Sequence, residues 1–189
     1  MTRIRSLTAI AASVAGVAMC AVAGGAASAA PNKWEPFHEE GTGSSDDFCG
    51  VSGLTVDETF VVDGRFRLKA RGPDGVPAYS DFSQTAQSWT NVATGQVVTN
   101  MAKGHSHEKA TDNGDGTLTV MSKNVGNVSF YDGDGQRIGH VAGHLYDFAL
   151  LFDDAGTPSD PSDDSLLEFT DLGGKLIPEF CSIVAPALT

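Results

Sequence analysis

The sequence predicts an all-β fold, a single-domain antiparallel β-barrel of about eight strands, with a β-sandwich as the alternative. Three observations carry this expectation. Thr111 to Phe152 is a series of short apolar runs cut by Gly and Asp clusters at near-regular spacing, the pattern of antiparallel strands joined by tight turns. No segment presents a convincing amphipathic helix. Tight turns between neighbours outnumber long crossovers, which favours a meandering barrel over a sandwich.

The chain has 189 residues, the length of one domain. Its first part is not expected to belong to the fold. Arg3 and Arg5 give a basic start, Leu7 to Ala23 is uncharged and mostly small or apolar, and Ala27-Ser28-Ala29 is a small-residue cleavage site. Residues 1–29 therefore read as a secretory signal peptide and the protein as secreted. The Ala-rich run falls short of the about 20 strongly apolar residues of a membrane span, and no later stretch could form a transmembrane segment. Cys20 follows Met19, where a lipoprotein signal has a small residue.

Removing the two leader arginines leaves ten basic against twenty-four acidic residues, a net charge of −14. Nucleic acid and anionic lipid are poor partners for such a chain, and the acidity suits solubility outside the cell. Two cysteines survive export, Cys49 and Cys181, and an oxidising compartment allows them one pairing.

Residues 30–47 read as an N-terminal arm whose Trp34 and Phe37 pack on the body, and 48–189 as the barrel domain. Leu54 to Arg71 reads as a hairpin. Asp63-Gly64 lies between two alternating runs, and a three-residue loop, Asp63 to Arg65, pairs Val62 with Phe66 and Phe60 with Leu68. That register puts Glu58 on the apolar face, opposite Ala70. Ala78 to Gln84 and Gln87 to Val92 look like separate strands, followed by Gln96 to Met101, which continues toward His105 and His107. Asp112 to Gly116 and Asp132 to Gly135 are turns, flanking strands around Leu118 and Val120 and around Val128 and Phe130. Arg137 to Val141 follows the second turn. Leu145 to Phe152 is apolar on both faces, so something must cover its outer side: the arm, the C-terminal segment or a second subunit. Asp153 to Asp164 is an acidic loop, Leu166 to Phe169 a further short strand, and Gly173-Gly174 opens a tail that carries Cys181.

Signals of chemistry are sparse. His105-Ser106-His107 places two imidazoles on one side of a strand, and His140 and His144 could share a face of another. The HxH resembles half of a cupin metal motif, without cupin spacing for the remaining ligands, so no metal is expected. Asp153, Asp154, Asp160, Asp163 and Asp164 offer hard oxygens for calcium but lack EF-hand spacing. Phosphate loops, dinucleotide fingerprints and G-x-S-x-G elbows are missing, and no cofactor is expected. What remains is a set of polar residues on an apolar inner face: Glu58, with His144 and Tyr146 if the face of Tyr146 to Phe152 points inward.

Trp34, Asp47-Phe48-Cys49-Gly50, Thr90-Asn91, Thr94-Gly95, Thr111 to Thr119 and Gly156 to Asp164 together resemble a group of uncharacterised secreted actinobacterial proteins. That resemblance implies export and one β domain, and no activity. In strand layout alone the chain is similar to dirigent and allene oxide cyclase barrels, which implies eight antiparallel strands around a small apolar cavity.

Three functions fit these features. The first is a non-catalytic module that binds a small apolar ligand in the barrel mouth. The second is an extracellular structural or interaction protein, including a homo-oligomer. The third is a cyclase- or isomerase-like enzyme with Glu58 as its acid–base group.

Overall fold

Alternation of buried and exposed side chains runs much further along each segment than the Gly- and Asp-containing dipeptides suggest. The computed structural model describes residues 33–70, 77–156 and 164–189. The leader at 1–29, with its cleavage site, lies outside them, as do the turn residues at 71–76 and Asp160 and Asp163 of the acidic loop. The described residues form seven long strands: β1 (Glu35–Ser45), β2 (Val56–Ala70), β3 (Pro77–Asn91), β4 (Val97–Asp112), β5 (Thr117–Tyr131), β6 (Arg137–Asp153) and β7 (Ser165–Gly173). Phe48–Gly50 makes a short 3-10 turn, and Leu176–Leu188 forms the helix α1.

The strands pair antiparallel in chain order, β1 to β7. β1 and β7 do not pair with each other, so the sheet curls into an open half-barrel. This corrects the expected closed barrel of about eight strands. Three expected breaks are also absent. Asp63-Gly64 lies inside β2, where Val62 faces Thr85 of β3 and Glu39 of β1. The segments around Tyr79 and Trp89 are one strand, and so are those around Val120 and Phe130. The arm is itself the edge strand β1, and its aromatics do pack on the body: the Phe37 ring is 6.2 Å from Phe66 and Trp34 is 5.5 Å from Phe82.

Mid-strand glycines explain both the misread breaks and the curl. Gly64, Ser83, Gly104, Gly126 and Gly143 are successive cross-strand partners from β2 to β6, one row without a large side chain. A Cβ on Gly126 would lie against the Lys103 carbonyl oxygen and 2.8 Å from the Gly104 Cα. The backbones crowd there on the concave side, and only a row lacking side chains lets the sheet bend so sharply. At the β1 end of the row, the Phe37 ring occupies the space that a Cβ on Gly64 would need, 2.5 Å away.

Helix α1 corrects the reading of the C-terminus as a tail. Ile177, Phe180, Cys181, Val184 and Leu188 recur at helical spacing. Pro178 falls in the first turn, where its missing N–H has no intrahelical role. The buried side of α1 lies in the concavity. Phe180 meets Trp89, Phe130 and Phe48 edge-on at 5.1, 5.9 and 5.9 Å. Such pairs add about 0.5–1.5 kcal/mol each beyond area burial. At the other end of the helix, Asn91 Nδ2 donates to the Leu188 carbonyl at 2.7 Å. A disulfide joins Cys181 of α1 to Cys49 of the 3-10 turn across 132 residues. The loop-entropy account gives a closure of this size about 4–5 kcal/mol.

The doubly apolar look of Leu145 to Phe152 comes partly from a β-bulge. The β5–β6 register shifts between Asn124 and Val125, so Leu145 and Tyr146 are both buried. β7 pairs with one edge of β6, and α1 covers part of its concave side.

Replacing Gly126 with Ala is expected to destabilise the fold by more than about 2 kcal/mol, because backbone cannot yield as a side chain can. Gly43→Ala, which meets nothing within 4 Å, is expected to change stability by less than about 0.5 kcal/mol. Urea unfolding of both variants checks this.

Candidate functional site

Beyond the helix, the concave face turns polar. With β3 read as one strand, Tyr79, Asp81, Ser83, Thr85, Gln87 and Trp89 share a face. β4 adds Asn100, Ala102, Gly104, Ser106 and Glu108 by the same alternation. All of these except Tyr79 and Trp89 bound a cavity of about 110 Å³. Val62, Ala102, Val128, Leu145, Phe148 and Leu176 supply its apolar wall, and Asp81, Gln87, Asn100, Ser106, Glu108 and Asn124 much of its polar one.

At one end, a relay of amides leads to a carboxyl. Asn100 Nδ2 donates to Gln87 Oε1 at 2.9 Å, and Gln87 Nε2 donates to Glu58 Oε1 at 3.0 Å. Burial raises the Glu58 pKa, and the bond from Gln87 opposes the rise. Asn100 is 5% exposed and its Oδ1 has no hydrogen-bond partner. A buried acceptor left unmatched costs about 1–3 kcal/mol.

At the other end are Asp81 and Glu108. Burial pushes the Asp81 carboxyl up to about 6, against hydrogen bonds from Ser106 and Ser83 that favour its ionised form. Burial, and then repulsion from Asp81, pushes Glu108 up to about 7. Tyr79 is buried beside them and its hydroxyl has no hydrogen-bond partner. Burial, followed by the charges of Asp81, Glu108 and Glu39, raises its pKa.

The three residues singled out from the sequence separate. Tyr146 lines the cavity, with its pKa raised to about 12 by burial and by Asp171. Glu58 is on the concave side but reaches the cavity only through Gln87 and Asn100. His144 is exposed at the bulge, with Nε2 2.8 Å from Asp147 Oδ1. Asp81, Asn100 and Glu108 were not singled out. For Asp81 the signal was present in the alternation through Trp89, but dividing β3 after Gln84 hid it; for Asn100 and Glu108 it lay in the alternation of β4.

The histidines do not converge. His105 and His107 are neighbours at 4.0 Å, with His105 stacked 4.2 Å from the exposed Phe82 on the convex face, while His140 bonds to Ser129 on another strand pair. Among the described residues, no three His, Cys, Asp or Glu side chains form a metal-binding group. In the acidic loop, Asp153 and Asp154 accept hydrogen bonds from the backbone N–H of Ala155 and Gly156. Asp112 and Asp132 bind turn N–H groups in the same way, as their Gly-rich settings imply. Among the described residues, no helix is long and apolar enough to cross a membrane. Comparison with protein-family models, curated proteins and solved structures finds no match to the chain.

The raised carboxyls make stability pH-dependent with a definite sign. The folded chain retains protons on Asp81 and Glu108 that the unfolded chain releases near the ordinary carboxylate range. Their contribution is complete below that range and is lost as pH rises through 6 and 7. The urea midpoint is expected to be lower at about pH 8 than at about pH 5, and Glu108→Gln is expected to shrink the difference.

Proposed function

We propose that the protein is an exported, non-catalytic binding module that receives one small molecule in the concave cavity of its half-barrel. The observation that carries this reading is the unpaired Oδ1 of Asn100, buried beside open space and within reach of an apolar wall. A site of that composition orients a molecule by a few polar groups and holds its body by apolar contact. The polar wall shifts the expected occupant from a purely apolar molecule to one that also carries hydrogen-bond donors. Export rests on the leader sequence and fits the Cys49–Cys181 disulfide. The enzyme reading loses its motive, because Glu58 is held by Gln87 and does not line the cavity.

Ala102 lies on the cavity wall, so Ala102→Phe is expected to fill the space. Native mass spectrometry of the protein recovered from culture medium is expected to show a small bound species that this variant lacks. Backbone NMR shifts at Asn100, Ser106 and Tyr146 on titration with short alkyl diols and diamines provide the second readout. Failure of every probe to produce saturable shifts would remove the reading.

A second reading, assembly with further copies of the chain, draws on β7. Leu166, Leu167, Phe169 and Leu172 are all exposed on a strand paired on one side only, and such edges recruit other strands. Under this reading, sedimentation shows a dimer or larger species that Leu167→Lys returns to monomer. A wild-type chain that stays monomeric at high concentration speaks against it.

A further inference from the structure

The concave face separates charge in a way that points to a ligand class. This inference rests on reading the cavity as a binding site. Glu39 of β1, Asp81 of β3 and Glu108 of β4 all act on Tyr79 from the concave side. The basic residues Arg65, Arg67, Lys103, Lys109 and Lys123 occupy the alternate positions of β2, β4 and β5, which belong to the convex face. Arg67 lies over the Trp34 ring at 4.5 Å. Lys103 and His105 contribute to the cavity wall, but the His105 ring stacks on Phe82 outside. Lys175 Nζ sits near Gly143 and is not among the groups that shift Asp81 or Glu108. Asp171 faces Tyr146, adding acid rather than base.

Shape narrows the class. The cavity is bounded along β4 from Asn100 to Glu108, and Asp81 pairs with Ser106, so at about 3.3 Å per residue the two carboxyls stand about 20 and about 26 Å of strand from Asn100. That separation of the two ends calls for an extended molecule rather than a single ring. Acceptors stand at both ends: the unpaired Asn100 Oδ1 at one, Asp81 and Glu108 at the other.

We propose that the trough binds a linear aliphatic diamine or polyamine, one ammonium held by Asp81 and Glu108, the methylene chain passing Ala102 and Gly104, and a second nitrogen donating to Asn100 Oδ1. An ammonium brings three donors to carboxylates that have no cationic partner among the described residues. Its charge favours the ionised forms that burial disfavours.

Calorimetric or NMR titration with 1,10-diaminodecane and its uncharged counterpart 1,10-decanediol tests this. The diamine is expected to bind at least about tenfold more tightly at pH 8 than at pH 5, as the two carboxyls ionise while the amines stay charged. The diol is expected to bind more weakly than the diamine and with little pH dependence. Glu108→Gln and Asp81→Asn are each expected to weaken diamine binding at least about tenfold and to flatten its pH profile. Equal or tighter binding of the diol overturns the cationic assignment and leaves the binding-module reading standing. Absence of binding by both compounds overturns the two together.

Discussion

The row of small residues across the middle of the sheet is the constraint on which the architecture depends. Gly64, Ser83, Gly104, Gly126 and Gly143 face one another from β2 to β6. On the concave side of a tightly coiled sheet, neighbouring backbones approach until a Cβ no longer fits, as the contacts of Gly126 with Lys103 and Gly104 show. The same row has a second effect. Side chains missing from the middle of the concave surface leave space there, and that space is part of the cavity. Curvature and cavity thus share one cause.

On either side of that row the concave face is filled differently. Toward the disulfide, α1 inserts Phe180, Val184 and Leu188 among Phe48, Trp89 and Phe130, and the packing is apolar and dense. An open half-barrel of seven strands exposes an apolar trough to water, and the helix removes much of that exposure. The Cys49–Cys181 bond keeps the helix seated, since it joins the helix to the turn leading into β2. Toward the opposite end no helix is present among the described residues, and the face carries Tyr79, Asp81 and Glu108 instead. Carboxyls enclosed by a sheet are costly when charged, so burial raises Asp81 to about 6, against its serine hydrogen bonds, and Glu108 to about 7. An apolar end gives the sheet a foundation, and a polar end lines the cavity.

Much of the secondary structure was legible from local chemistry. The Asp112–Gly116 and Asp132–Gly135 turns form where Asp side chains can bind turn N–H groups. β6 declared itself by apolar content, and the single cysteine pair by elimination. Strand number was misjudged because glycine has two uses with one signature. At Gly114 and Gly135 it supplies positive φ in a turn. At Gly64 and Gly126 it makes room for a neighbouring strand or ring inside a continuous ladder. Asp63-Gly64 has the composition of the first case and the role of the second. The helix was overlooked for a related reason: Gly173-Gly174 read as the opening of a tail, whereas a helix follows it, with Pro178 in its initial turn and Pro186 accommodated within it.

The sequence by itself determined that the described part of this protein would be mostly antiparallel β structure with Asp- and Gly-built turns and one pair of cysteines, because alternation, turn chemistry and residue counts are local properties. Only the tertiary structure decided that the sheet stays open, that the C-terminus plugs it, and that Asn100, Asp81 and Glu108 share one cavity. The physical reason is that these outcomes depend on cross-strand register. Register brings Gly104 opposite Gly126, and places residues many positions apart in the chain on one curved wall.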